Sequence, residues 1–128
     1  MNDEVRRLLE VVRDPGTAAG LTPSQWNTLL PVARRHALAA RIAADARKAG
    51  SWRGLPDRAR RQLQAAEIAC ESTHVAIRFE LDRASRALED AGLGRPLIAM
   101  KGAACLMAGL SAVHGRFIGD LDVMVPHA

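Results

Sequence analysis

The sequence predicts an α+β fold that is mostly helical, with a helical first part followed by a short strand–helix–strand unit. Alanine, leucine and arginine dominate the 128 residues, and all three favour helix. Apolar side chains recur at steps of three and four up to about residue 91. Beyond Gly92 that period is lost, and short apolar runs between turn residues are typical of strands.

Three helices are expected in the first fifty residues. Leu and Val have helical spacing over residues 3–12, and the turn sequence DPG then ends the pattern. Thr22 is expected to cap a second helix, because Pro23 stands at its first position and Gln25 completes a capping box. A third helix is expected over about 37–49.

One long helix is predicted from about residue 56 to residue 91. Its core-facing seam follows alternating steps of three and four: Leu63, Ala66, Cys70, His74, Ile77, Leu81, Ala84, Leu88 and Ala91. Gly92 and Gly94 follow, as is typical of a helix C-terminus. The change of pattern predicts a domain boundary near Gly92, with a helical subdomain at 1–92 and a second unit at 93–128.

The composition disfavours two classes of protein. The net charge of +4 permits attraction to phosphates, but the basic residues are scattered along the predicted helices. Aromatic residues make up only 3% of the chain, which disfavours a nucleic-acid reader that stacks bases. No run approaches the ~18 apolar residues that a membrane span requires, so no membrane partner is expected.

A cytoplasmic location is expected from the start of the chain and from its cysteines. The N-terminus, MNDEVRRLLE, lacks the apolar segment of a signal peptide. Cys70 and Cys105 have no metal-ligand spacing and are expected to be reduced thiols.

A phosphate-binding turn is one interpretation of residues 95–110. RPLIAM is expected to form a buried strand and KGAACLMAGL a helix. Gly102 would let a phosphate approach the backbone, the helix start would offer free N–H groups, and Lys101 would add a positive charge. Taken alone, a glycine at such a junction more often forms only a tight turn.

Two aspartates stand in the second predicted strand, DLDVMV (120–125). Because strand side chains alternate, Asp120 and Asp122 are expected on one face. Two carboxylates in an apolar run require a cationic partner, and oxygen ligands of this kind suit Mg²⁺. The alternative is a solvent-facing pair that Arg116 neutralises.

Taken together, LIAMKGAACLM and GRFIGDLDVMV resemble nucleotidyltransferases of the DNA polymerase β superfamily. The resemblance is to its uncharacterised nucleotidyltransferase family, which has a K-G-A motif, a loop arginine and a D-[IL]-D strand. The helix WNTLLPVARRHAL is also similar to the helical leader of that family. Six positions match the motif residues: Lys101, Gly102, Ala103, Arg116, Asp120 and Asp122.

The resemblance implies a partial nucleotidyltransferase palm in residues 93–128. It implies that an acceptor hydroxyl attacks the α-phosphate of a nucleoside triphosphate, although the acceptor is unknown. Asp120 and Asp122 would be the catalytic carboxylates and would hold Mg²⁺ or Mn²⁺. The implied nucleotide-binding residues are Lys101, Gly102, Ala103, Arg116 and Gly119.

The chain departs from the superfamily pattern in two places. Gly102 is followed by Ala103 where the superfamily generally has serine. The superfamily also uses a third carboxylate on a later strand, and no acid follows Asp122. His114 or His127 could act as the local base, although a surface role suits both better.

Three explanations of the ending stay open. The chain is a truncated piece of a longer enzyme, a short protein that completes its sheet by dimerising, or a relative without catalysis. A two-stranded sheet is marginal alone, and its open edge invites a second copy of the chain. The alternative function is therefore a non-catalytic, oligomeric interaction module derived from a nucleotidyltransferase.

Overall fold

The computed structural model describes residues 1–93 and 97–125 and is mostly helical, with one small sheet. This confirms the predicted α+β class. Internal contacts divide the described residues into two compact units. The first comprises Met1–Cys70 and His114–Arg116, and the second comprises the described residues of Glu71–Val113 and Phe117–Ala128.

The first unit is built from helices α1 (Asp3–Arg13), α2 (Pro23–Arg35) and α3 (Ala39–Lys48) and the beginning of α4 (Asp57–Asp90). Their apolar faces share one core, because each helix has a stripe of apolar residues at helical spacing. The largest side chains that are fully buried in it are Trp26, Leu8, Leu29, Leu30, Leu63 and Val11.

Helix α2 begins with the predicted capping box. The amide of Gln25 donates to Oγ1 of Thr22 at 3.2 Å, and the amide of Thr22 donates to Oε1 of Gln25 at 2.9 Å. Two N–H groups that have no partner within the helix are thereby satisfied. Pro31 lies inside the helix, which nevertheless continues to Arg35.

Helix α2 ends in a Schellman motif that has alanine where glycine is usual. The amide of Ala37 donates to the carbonyl of Arg34 at 3.0 Å, and the amide of Leu38 donates to that of Ala33 at 2.8 Å. This arrangement requires a left-handed residue, and Ala37 has φ 56°. The same motif follows three other helices, with glycine in each left-handed position: Gly50, Gly92 and Gly109.

Helix α4 runs from Asp57 to Asp90, within one residue of the prediction at both ends. The first part of the predicted seam is buried. Of its later members, Leu81, Ala84 and Leu88 are half-buried and Ala91 is exposed. Gly92 marks the end of this helix, and the domain boundary near Gly92 stays a prediction.

The second unit contains strand β1 (Ile98–Met100), helix α5 (Lys101–Met107) and strand β2 (Asp122–Met124). The strands are antiparallel, with Met100 opposite Asp122. A small core of Ile77, Ala103, Leu106, Val113 and Ile118 lies in this unit.

Within the described residues, both strands are shorter than predicted. The chain enters α5 directly after Met100, so the residues before Asp122 have no strand to pair with. Asp120 therefore lies outside β2, and the strand predicted over 120–125 was too long. The start of the strand predicted over 95–100 lies outside the described residues.

The sheet is also more exposed than predicted. The side chains of Ile98 and Met124 are 48% and 51% exposed. The expectation of buried strands was therefore wrong for this part of the chain. None of the helices in the described ranges combines the length and the hydropathy that a bilayer crossing requires.

Candidate functional site

Lys101 and Asp122 form an ion pair at the junction of β1, α5 and β2. The distance from Nζ of Lys101 to Oδ2 of Asp122 is 3.4 Å. The pairing of Met100 with Asp122 accounts for the proximity, because Lys101 is the next residue along the chain. The two side chains are 71% and 45% exposed, so the pair contributes about 1 kcal/mol or less to stability. Both charged groups remain accessible to a ligand.

The backbone of Lys101 is strained. Its φ of 55° lies in the left-handed region, which costs a residue with a Cβ about 1–2 kcal/mol. Glycine would avoid this strain because it has no Cβ, and asparagine would offset part of it through a local hydrogen bond, but lysine does neither. Strain of this kind is common where a side chain is held for function.

Gly102 and Ala103 follow Lys101 in the first turn of α5, and both are buried. A Cβ on Gly102 would lie 3.4 Å from Cγ1 and Cγ2 of Ile118, an ordinary packing distance. Gly102 therefore packs closely against Ile118. A side chain at this position would point into the protein and not toward a ligand. Met100, at the N-cap, makes no side-chain hydrogen bond to the helix within the described chain. The first amides of α5 thus have no side-chain cap.

Asp120 and Gly119 lie in the segment that precedes β2, and both are exposed. They line a cleft of about 370 Å³ together with residues of α4, all within the second unit. The amide of Ile118 donates to Oγ1 of Thr73 on α4 at 3.4 Å. This contact holds the segment that carries Asp120 beside the helix.

Two carboxylates are the donors that this site can offer to a divalent ion. Among residues 1–93 and 97–125, no group of three or more histidine, cysteine or acidic side chains is placed to hold a metal ion. Mg²⁺ is commonly bound by one or two carboxylates together with substrate phosphates, so Asp120 and Asp122 suit a metal that arrives with a triphosphate. They would not suit a metal held by protein side chains alone.

Gly115 is a structural requirement that the sequence pattern did not predict. Its φ is 71°, and a Cβ at this position would lie 2.4 Å from both N and Cα of Arg41. The chain can lie against the backbone of α3 here only because residue 115 has no side chain. The sequence feature that could have indicated this requirement is a glycine directly before the motif arginine, Arg116. Both residues belong to the first unit.

The structure thus brings Lys101 together with Asp122, and it places Gly119 and Asp120 on one cleft. Arg116 belongs to the first unit with Gly115 and His114. His114 is exposed, and His127 lies outside the described residues. The functional roles of all seven site residues stay predictions.

Comparison with protein families matches residues 22–128 to the family described as uncharacterised nucleotidyltransferase. The match includes α2, whose sequence resembles the helical leader of that family, and every motif residue. Among curated proteins and among solved structures, the chain has no significant match.

Proposed function

Because the chain belongs to the uncharacterised nucleotidyltransferase family, we propose that it binds a nucleoside triphosphate with Mg²⁺ and transfers a nucleotidyl group to an acceptor. The observation that supports this most directly is the ion pair of Lys101 with Asp122. It joins the lysine of the K-G-A motif to a carboxylate of the D-x-D motif, although about 20 residues separate them in sequence.

Lys101 has two roles in this proposal. Without nucleotide, it neutralises Asp122, which lies beside it. With nucleotide bound, its ammonium group would contact a phosphate oxygen instead, and Asp122 would then be free to hold the metal. Both side chains are exposed enough to make that exchange, and the weak ion pair opposes it little. The amides of Gly102 and Ala103, at the start of α5, are the proposed phosphate contacts.

In the proposed reaction, the acceptor hydroxyl forms a bond to the α-phosphorus. The bond from that phosphorus to the bridging oxygen breaks, pyrophosphate leaves, and the hydroxyl proton passes to water or to a basic side chain. When bound, Mg²⁺ or Mn²⁺ would neutralise charge that develops on the phosphate oxygens. Asp120 and Asp122 would hold it, and Lys101 and Arg116 would offset the charge of the triphosphate.

Isotope transfer tests this reaction even though the acceptor is unidentified. The protein is incubated with Mg²⁺, a fractionated cell extract and ATP labelled at either the α or the γ phosphorus. The proposal predicts that the acceptor takes up label from the α position and that label at the γ position is released as pyrophosphate, and that the Asp120→Asn/Asp122→Asn variant forms neither product. An acceptor labelled from the γ position and not from the α position, or equal labelling by the variant, would contradict it.

A second candidate is an interaction module without catalysis, which the exposed sheet favours. Ile98, Met124 and Val125 are 48%, 51% and 43% exposed, and contiguous apolar surface often marks an interface. This candidate predicts a dimer in sedimentation equilibrium that persists in Asp120→Asn/Asp122→Asn and is lost in Met124→Lys. Both candidates are proposed for the cytoplasm, where thiols such as those of Cys70 and Cys105 stay reduced.

A further inference from the structure

We propose that the cleft beside Asp120 is the acceptor site and that it selects an acceptor that carries a cationic amine. This inference rests on the proposed function and names the substrate class of the same site. The cleft lies between residues 73–80 of α4 and the segment Ile118–Leu121, and both segments belong to the second unit.

The volume of the cleft and the apolar part of its lining suit a small organic molecule. Its volume is about 370 Å³, within the range of small-molecule sites. Apolar side chains, Ile77, Ile118 and Leu121 among them, form part of its lining. Ile77 and Ile118 belong to the core of the unit, so this part of the lining is fixed by packing.

The charged residues of the cleft indicate a ligand that carries a positive charge. Glu80 on α4 and Asp120 on the facing segment are the ionisable residues of its lining. Neither has an ion-pair partner within the part of the chain that the structure describes. The protein as a whole has a net charge of +4, so this acidic cleft is a local exception. A ligand with an apolar part and an ammonium group matches the apolar lining and the carboxylate of Glu80.

Asp120 connects this cleft to the proposed chemistry. The residue lines the cleft and is also a proposed metal ligand, so an acceptor bound there would lie next to the reacting phosphate. Glu80 is then a specificity-determining residue, because it would hold the ammonium group while the hydroxyl faces Asp120. A helical residue on α4 could not be connected with the D-x-D motif from sequence, since about 40 residues separate Glu80 from Asp120.

The test uses two probes that differ only in the ammonium group. Phenylalaninol has a hydroxyl, a phenyl ring and an ammonium group, and 3-phenylpropan-1-ol has the hydroxyl and the ring alone. Each is titrated into the full chain and followed by amide NMR shifts, without nucleotide or metal. We expect phenylalaninol to shift amides of residues 73–80 and 118–121. We expect it to bind about fivefold more tightly than the neutral alcohol, the scale of exposed ion pairs. Equal affinity, shifts elsewhere or no binding of either probe would overturn the proposal.

Two variants sharpen the result. Glu80→Gln should remove most of the preference for the charged probe. Glu71→Gln should keep it, because Glu71 is exposed on α4 and nine residues from Glu80, which places it about 180° around the helix. A preference that survives Glu80→Gln would overturn the role of Glu80.

The probe titration is independent of the nucleotide. A protein that binds phenylalaninol as expected but does not bind ATP would contradict the proposed function and leave the cleft as a cation site. A protein that binds ATP with Mg²⁺ but shows no preference for the charged probe would contradict this inference alone.

Discussion

The Nζ of Lys101 lies 3.4 Å from Oδ2 of Asp122, and the lysine adopts a left-handed backbone conformation. The charge of Lys101 and the strain in its backbone therefore occur in the same residue. This combination separates stability from ligand binding, because the two properties should respond in opposite directions to one substitution.

Lys101→Gly should give a more stable protein that binds nucleotide less well. Glycine relieves the strain of φ 55°, and the loss of an exposed ion pair subtracts little. We expect Lys101→Gly to exceed Lys101→Ala in free energy of unfolding by about 1 kcal/mol. Both variants lack the ammonium group and should bind ATP more weakly. Urea denaturation and ATP titration measure the two effects, and equal stability of the two variants would contradict the strain.

Ala37→Gly should stabilise the first unit by about 1 kcal/mol, because residue 37 is the left-handed residue of a Schellman motif. Thermal unfolding measures the change. The reciprocal substitution Gly50→Ala, at φ 75°, should destabilise by a similar amount. A destabilising Ala37→Gly would show that the unfolded state of the glycine variant outweighs the relief of strain.

Gly115→Ala should destabilise the protein by about 2–4 kcal/mol, the scale of a clash with no room to relax. Its Cβ would lie 2.4 Å from backbone atoms of Arg41, which a side-chain rotation cannot relieve. The matched control is Gly20→Ala, where a Cβ would meet no described atom within 4 Å. Thermal unfolding of both variants checks this, and similar melting temperatures would contradict the close approach.

Arg47 makes the best-formed ion pair of the described first unit. Its guanidinium donates to Glu67 at 2.8 Å and lies 3.8 Å from the centre of the Trp52 ring. The hydrogen bond to Glu67 raises the pKa of Arg47, so the arginine is charged at every pH at which the protein is handled. Its contribution is present below the unfolded pKa and would be lost only above the raised value.

Arg47→Lys should therefore lower the free energy of unfolding by about 0.5–1 kcal/mol, because lysine cannot donate in the same planar fork or stack on tryptophan. Urea denaturation measures it. Arg58→Lys, at an exposed position of α4, is the control and should have little effect. An equal loss in both variants would assign the effect to helix propensity.

The helices could be predicted from sequence because their signals are local. The capping box at Thr22 and the glycine after α4 act within a few residues, and both are present in the structure. The strands could not be bounded in the same way. The length of β2 depends on where its partner ends, and α5 begins at Lys101.

The site was predictable only in part for a related reason. The motif residues could be located from the resemblance, but their neighbours come from distant parts of the chain. Glu80 and Asp120 line the same cleft. The tertiary fold brings them together, and no local sequence pattern specifies that fold. Gly115 was visible as a loop glycine, whereas its need for φ 71° and its contact with Arg41 depend on tertiary structure.

Calorimetric titration of ATP, with and without Mg²⁺, tests the proposed function most directly. The proteins are the wild type, Asp120→Asn/Asp122→Asn, and the control Asp82→Asn/Asp90→Asn, which changes the same charge at exposed positions of α4. We predict Mg²⁺-dependent binding to the wild type and the control, and at least a tenfold loss in the site variant, about 1.4 kcal/mol. Binding that is independent of Mg²⁺, or equal in all three proteins, would contradict a metal–triphosphate site at Asp120 and Asp122.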